Sequence, residues 1–558
     1  MKKIFELFHR ELRGVHQAAL LLALATIGSN LLGLVRDRFL ASAFGAGSTL
    51  DMYYAAFRIP DFLYAVSLFF AASTAIIPVL YEKLNGDDHD AKLLMNGLFT
   101  VFLFLMSGIL VAAFFLTPYI TRLMLPGFDA ASIAEVTLLS RVLLLSPLFL
   151  GLSNLVSSVI QSYKRFFIYA LSPLCYNFGI IVGVVFLAPR FGLIGLVWGV
   201  VLGALGHFLI QIPSLYALGF MPKIVLRFPR DTRYILKLSL PRTLGLAANQ
   251  LTFIAATSVA SLVGAGSIAI FNLAYNLQSV PMGVIGLSYS VAAFPTMAEL
   301  IVRKEKKVFF EHLTAASRHI VFWTLPMSVL FIVLRAQIVR TILGAGRFDW
   351  GDTRLTAASL ALFSLGIVAQ SLSLLFIRAF YAVGKTKLPV LLTVFSSVIT
   401  IGASWVFVRV LQSSSEAAWV FSELLRVPEV PRLAVLGLPL AFALGNIIQM
   451  VLLASSFGRA EEEFRNHGVM RSLWDIVVAS FLLGLVSYQA LSVFDNIFDI
   501  SHSLGIFLQG LSAGLVGIAC ASVFLYVRKN QEFLDVWQAA HQRFWRSAAP
   551  IPEPEHLP

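Results

Sequence analysis

Four stretches of this chain carry polar side chains inside otherwise apolar sequence. They read NLLGLVRDR at 30–38, LDMYYAAFRIPDFLY at 50–64, RTLGLAANQ at 242–250 and NLAYNLQ at 272–278. Guanidinium groups at Arg36, Arg58 and Arg242 can hold an anionic group through forked hydrogen bonds. Asn30, Tyr64, Asn276 and Gln278 can bind neutral polar groups, and Asp51 offers a carboxylate. This is the chemistry of gripping a polar ligand rather than of breaking a bond. An acidic cluster, Asp87-Asp88-His89-Asp90, raises a metal–diphosphate site, but it has no second acidic cluster beside it and reads as a solvated turn. There is no metalloprotease HExxH, no phosphate-binding P-loop and no nucleophile elbow. An enzyme is therefore the least favoured class.

The elements that position these groups are membrane helices. The chain has 558 residues, of which 58% are hydrophobic and 13% charged, with a mean hydropathy of +0.83. That charge share is roughly half the usual value for a soluble chain. Apolar runs of the ~20 residues needed to cross a bilayer recur from end to end. The spacing predicts fourteen spans, at 15–43, 50–81, 92–119, 132–160, 166–188, 192–218, 235–262, 266–300, 312–342, 354–383, 387–410, 433–457, 472–494 and 503–527. The fold class is thus an all-α polytopic membrane protein. The first apolar run is too long for a cleavable signal and leads straight into further spans. The two cysteines, Cys175 and Cys520, lie in apolar runs and read as small core residues.

Basic residues orient the chain. With both termini and the even-to-odd loops on one side, that side holds 28 of the 42 Lys/Arg; the opposite loops hold 11, and Arg58, Arg141 and Arg242 lie deeper. The bias places both termini in the cytoplasm. The net charge of +12 is thereby topological and no argument for nucleic acid. Residues 2–12, KKIFELFHREL, and the tail residues Phe533, Leu534, Trp537 and Phe544 form amphipathic faces suited to the membrane interface. The external stretch 411–432 has room for a short surface helix.

The chain repeats itself. Gly45-Ala46-Gly47-Ser48 returns as Gly264-Ala265-Gly266-Ser267, Pro60 as Pro281, Pro78 and Glu82 as Pro295 and Glu299, Tyr163 and Pro173 as Tyr381 and Pro389. The offsets all lie near 218, which spans six helices, an even number, so the copies share one orientation. The reading is a cytoplasmic amphipathic helix at 1–14, an N-lobe of six spans at 15–218, a linker at 219–234, a C-lobe of six spans at 235–457, a helix pair at 458–527 and a tail at 528–558. Gly45, Gly47, Gly264 and Gly266 make matching turns, and Pro60 and Pro281 bend matching helices. A charged residue within a span costs about 2.5–3.5 kcal/mol on insertion scales and normally faces a cavity or a partner. A water-filled cavity lined by the two polar hairpins is expected; the competing reading, strongest for Asp37 and Arg38, is of interface ion pairs, Arg36–Asp51 and Arg58–Asp61, near the outer leaflet. Paired lobes rocking about such a site are a recurrent transporter design.

The string GLVRDRFLASAFGAGSTLDMYYAAFRIPDF, followed by IIPVLYEK, resembles the N-terminal signature of the MurJ/MviN lipid II flippases, of the multidrug/oligosaccharidyl-lipid/polysaccharide exporter superfamily. Arg36, Asp37, Asp51 and Pro60 sit on the motif, and Arg58 stands where a basic residue is usual. The resemblance implies translocation of undecaprenyl-pyrophosphate-linked peptidoglycan precursor between leaflets of the bacterial inner membrane. It also implies a tail groove at spans 13–14, driving by an ion or the membrane potential without a bound cofactor, and cell-wall synthases as partners. On that reading Arg36, Arg58 and Arg242 contact pyrophosphate, and Asn30, Tyr64 and Asn276 the sugar or peptide. The chain departs from the family where Asn30, Tyr64 and Asn276 replace cavity arginines, at Phe69-Phe70-Ala71, which replaces an acidic patch, and near Ser279, where an acid is missing. Export of another glycolipid or a small cation, and a non-transporting scaffold, remain as alternatives.

Overall fold

In lipid every backbone N–H and C=O must be satisfied within its own segment, which leaves the helix as the form these apolar runs can take. The computed structural model bears this out: among the described residues the ordered elements are helices. It describes the chain except for residues 1–14, 72–75, 77–78, 81, 84–87, 164, 226–229, 428–430, 459–466, 500–501 and 546–558. The N-terminal amphipathic segment and Pro78 lie outside the described residues.

The order is α1 (Val15–Phe44), α2 (Ser48–Ala56), α3 (Arg58–Ala71), α4 (Asp88–Met124), α5 (Ala130–Leu143), α6 (Leu145–Ser162), α7 (Phe166–Val182), α8 (Ala188–Leu209), α9 (Ile212–Ala217) and α10 (Arg230–Ser261). The second half follows with α11 (Ser267–Pro281), α12 (Ser288–Val302), α13 (Lys306–Val333), α14 (Arg335–Leu343), α15 (Trp350–Ser364), α16 (Ile367–Ala382), α17 (Lys387–Ser413) and α18 (Ser415–Leu425). The chain closes with α19 (Gly437–Gly458), α20 (His467–Asp495), α21 (Ser503–Val527) and α22 (Gln531–Trp545).

Nine helical stretches among the described residues are long and apolar enough to cross a membrane, and α15 with α16, bent by 44°, makes a tenth. One of them, Phe166–Ala217, runs for 52 residues but is broken by a kink at Gly192, whose φ is +64°, so it divides into two pieces, each long enough to cross a ~30 Å core. Helices α1 and α10 occupy the expected first and seventh spans. The expectation of fourteen is compatible with this count without being fixed by it. The surface helix expected within 411–432 is α18, whose N-cap Ser414 accepts a hydrogen bond from the Ala417 amide and whose C-cap Arg426 is left-handed.

Two compact units divide the chain. The first comprises Met1–Val280, Val339–Phe363 and Gly384–Gln449, so it does not stop at the repeat boundary expected at 219–234. The reason lies in its own contacts. Turns and helix ends from the second half hydrogen-bond to α1 and α2 within this unit, as detailed below. Its core gathers Phe102, Met106, Leu98 and Leu155 around α4 and α6, and an aromatic cluster of Phe253, Phe271, Tyr275, Phe363 and Phe442. The second unit comprises Pro281–Ile338, Ser364–Val383 and Met450–Pro558. There Phe322 packs on Ile476, Leu483 and Leu525. Glu532, at the start of α22, is fully buried and accepts from Arg318 and Ser472, while Phe533 stacks on Trp537. The Phe544 side chain lies outside the described ones.

Candidate functional site: a polar chamber and its latch

Span two is broken where the charges concentrate. Helix α2 ends at Ala56 with Phe57 as its C-cap, and α3 restarts at Arg58 with Pro60 in its first turn. Proline is tolerated there because a first-turn N–H has no intrahelical acceptor. Pro281 acts at the matching place in α11: it ends that helix, and Met282–Leu287 continue as a π turn. Such turns re-aim side chains at the cost of a disrupted ladder.

Arg58 opens onto a chamber of about 390 Å³, which α1, α2, α3, α7, α10 and α11 line within the first unit. Arg36, Arg58, Asp61, Gln250, Asn272 and Asn276 supply its polar wall, and Tyr53, Tyr54, Phe57, Tyr176, Phe253 and Tyr275 its aromatic wall. The Arg36 Nη2 lies 2.8 Å from Asp37 Oδ1, and its Nη1 donates to Asn177 Oδ1 at 3.0 Å. The other Asp37 oxygen accepts from Asn276 Nδ2 at 3.0 Å, so one carboxylate joins α1 to α11. Arg58 is 6% exposed; it donates to Asn272 Oδ1 and its guanidinium carbon stands 5.4 Å from the Phe253 ring centroid. Its Nε and the Tyr54 hydroxyl have no hydrogen-bond partner among the described residues. A buried donor without an acceptor is costly, and here it stands ready for a ligand oxygen.

The glycine turns close the unit at one end. Asp51 is 1% exposed, and its two oxygens accept from the backbone amides of Gly266 at 2.5 Å and Ala269 at 2.7 Å. These are N-terminal amides of α11, which lack intrahelical acceptors and carry the positive end of the helix dipole. Asp352 accepts from the Ala46 amide at 2.9 Å and faces Arg432 Nη2 at 3.4 Å. Arg432 donates onward to the carbonyls of Ala46 and Ala265 at 3.1 and 2.7 Å. Arg38 caps the C-terminus of α14 through the Thr341 and Ile342 carbonyls at 2.7 and 3.1 Å. Gly45, at φ +65°, has no room for a Cβ, which would fall 2.7 Å from the Arg347 carbonyl; Gly266, at φ +91°, would drive one into the Ala46 carbonyl. These two glycines are required both by backbone conformation and by close approach.

The structure brings Arg36, Arg58 and Asn276 together in the chamber. Asp51 sits instead in the latch, wholly engaged by backbone amides. Tyr64 turns its hydroxyl to Asn154 Nδ2 at 3.1 Å, Asn30 is half-buried elsewhere on α1, and Gln278 is buried at 2% exposure without lining the chamber. The Arg242 side chain lies outside the described ones. Gly47 adopts ordinary extended geometry, and Gly264 holds φ +141°. Sequence reasoning missed Asn177, Tyr176, Asp352 and Arg432. One signal pointed to the latch: Gly-Ala-Gly occurs a third time at 344–346, and Gly346, at φ +56°, abuts Ser42.

Residues 40–509 match the model of the family described as lipid II flippase MurJ. The chain belongs to the lipid II flippase MurJ family. A lipid II flippase MurJ of Burkholderia cenocepacia is 28% identical over 397 residues, covering 69% of this chain and 77% of that protein. A probable lipid II flippase MurJ of Buchnera aphidicola is 30% identical over 382 residues, 67% of this chain and 74% of its own length. Among solved structures, a lipid II flippase MurJ in an inward closed conformation superposes with a TM-score of 0.73 at 23% identity over 91% of this chain and 99% of that one. An inward-facing multidrug resistance MATE family transporter of the MOP superfamily reaches 0.63 at 16% identity over 77% and 94%. The fold is therefore that of MurJ and its superfamily neighbours, and the protein is a multi-pass membrane transporter of the MurJ family rather than an enzyme.

Proposed function

We propose that this protein moves lipid II, the polyprenyl-pyrophosphate-linked peptidoglycan precursor, from the inner to the outer leaflet by alternating access. The observation that carries the reading is the chamber itself: two guanidiniums among six aromatic rings, with the latch at one end. An amphiphile needs only a polar path for its head while its tail stays in lipid, so the protein performs no covalent step. Arg58, with its unpartnered Nε, takes a pyrophosphate oxygen; Arg36 stays tethered to Asp37 and contributes field more than free donors. The tyrosine rings offer faces and hydroxyls to sugar rings. The positive-inside bias puts the latch at the outer face and both termini in the cytoplasm, and opening it delivers the head outward. The two lobes rock about the chamber, and cell-wall synthases take the precursor that emerges.

A second reading rests on charge. Asp37 and Asp61 balance Arg36 and Arg58 among the described residues, which suits a polyprenyl-linked glycan carrying fewer phosphates. Both readings face one experiment, made in cells depleted of their own lipid II flippase. Expression of this chain restores access of an impermeant probe to outer-leaflet lipid II. Failure to restore it, with the protein present in the membrane at normal levels, overturns the lipid II assignment.

A further inference from the structure

Arg141, one of the three deep arginines, does not line the chamber. It lies on α5, which with α6 makes one candidate span of 33 residues, Ala130–Ser162, within the first unit. What it meets there is set by a proline of α4. Pro118 stands inside that helix and has no N–H to give the carbonyl four residues back, which is that of Phe114. Arg141 Nε donates to this carbonyl at 3.0 Å, and its guanidinium carbon stands 4.4 Å from the Phe114 ring centroid. One N–H thus repairs the helix ladder, and the aromatic face holds the guanidinium in place. A guanidinium has five N–H donors. The remaining ones, on Nη1 and Nη2, have no hydrogen-bond partner among the described residues, and no carboxylate there pairs with Arg141. Leu138 and Leu145, on the same side of the helix at i−3 and i+4, are exposed, as are Phe114 and Phe115 across the seam. An exposed apolar face of a membrane helix meets hydrocarbon.

Depth decides what can reach the Nη edge. The bias of basic residues puts the turn between α4 and α5 on the outer side. Phe114 lies eight residues short of Arg122, in the last turn of α4, which is about 12 Å along the helix. Arg141 lies twelve residues past Asp129, the N-cap of α5, about 18 Å along its own helix. The guanidinium is therefore held below headgroup level, in the hydrocarbon of the outer leaflet. A charge in that position is costly and marks a partner. A lipid phosphate would have to sink by most of 12 Å to meet it. A carboxylate borne on a transmembrane helix can stand at any depth, and two Nη donors side by side present the fork a carboxylate accepts. We propose that the seam of α4 and α5 docks a transmembrane helix of another protein, one that carries an Asp or Glu about eight residues inward from its outer end. The carboxylate takes the Nη edge of Arg141, and Phe115, Leu138 and Leu145 pack against apolar side chains on either side of it. The seam shares no residue with the chamber lining, so the inference stands apart from the transport reading.

The test uses the full-length protein in phosphatidylcholine vesicles and a synthetic helix of about 20 leucines, flanked by lysines, with glutamate at its eighth position. Association is read by fluorescence transfer and compared with that of the same helix made of leucine throughout. The glutamate helix is expected to bind about three- to thirtyfold more tightly, an excess lost in Arg141→Gln. Leu138→Trp keeps the guanidinium but crowds the face beside it, and it also loses the excess. Equal binding of the two helices to the wild-type protein overturns the inference, and is the result if lipid phosphate already satisfies the guanidinium. An excess that persists in folded Arg141→Gln protein overturns it as well.

Discussion

Replacing Asp51 with asparagine probes the latch with the least change in volume. In the native chain both carboxylate oxygens accept backbone amides of the α11 N-terminus, at 2.5 and 2.7 Å, and the group is 1% exposed. Asparagine keeps one acceptor and turns an NH2 toward the other amide, so one donor is stranded and the charge facing the helix dipole is lost. Turning a charge-assisted hydrogen bond into a neutral one loses about 1 kcal/mol and a stranded buried donor costs about 1–3 kcal/mol more, giving about 2–4 kcal/mol in favour of opening. At about 1.4 kcal/mol per factor of ten, the open population rises roughly 30- to 700-fold. Ser267, fully buried beside the latch, serves as reporter: Ser267→Cys is nearly isosteric and reacts with an impermeant maleimide only when the latch opens. Cys175 and Cys520, the native cysteines, are replaced by alanine in that background. Asp51→Asn is expected to raise the labelling rate within this range while the protein still elutes as a single folded species. An unchanged rate in that folded species would show that the Asp51 carboxylate does not hold the latch, and the reasoning would fail.

Gly266→Ala acts on the same latch by a different route, since it adds a Cβ against the Ala46 carbonyl at φ +91°; it should cost roughly 1–3 kcal/mol and lower the thermal midpoint of the purified protein. Arg58→Ala removes the guanidinium bound to Asn272 and should weaken headgroup binding about tenfold or more; Arg58→Lys should restore little, because an ammonium cannot present the same fork, and outer-leaflet delivery of precursor is the readout. Glu532→Ala removes the buried carboxylate that Arg318 and Ser472 donate to, leaving Arg318 with Gln531, and should destabilise the second unit by about 1–3 kcal/mol, seen as earlier unfolding of α22 by hydrogen exchange. Arg318→Met/Glu532→Leu should unfold later than either single change.

Much of the fold was legible because lipid leaves helices as the option and the repeat is written in glycine and proline positions. Helix α2 ends with Phe57 as its C-cap, three residues before Pro60, and a π turn follows Pro281. The site was less legible, and helical phase explains several misses. Arg36 and Leu40 share a face of α1 and line the chamber. Asn30 is six residues from Arg36, about 120° round the helix, so the two cannot face one ligand. Asn272, Tyr275 and Asn276 share a face of α11, and Gln278 lies two residues past Asn276, nearly opposite. Polar residue type alone had grouped them. Asp51 was misplaced for another reason: its acceptors are backbone amides more than 200 residues away, and amides leave no mark in composition. Asp352 and Arg432, some 300 and 386 residues from Ala46, are invisible to any local pattern. The compact units also depart from the repeat because hydrogen bonds from α11, α14 and the Arg432 turn bind second-half segments to α1 and α2.

The latch is lopsided with respect to the repeat read in the sequence. Asp51 projects from the first copy into amides of the second, whereas the corresponding stretch of the second copy, Ser267 to Tyr275, contains no acid. A protein assembled from two second halves would have no such fastening. The halves have therefore specialised as key and keyhole, and recombination that exchanges one for the other should be tolerated only when the carboxylate travels with the exchange.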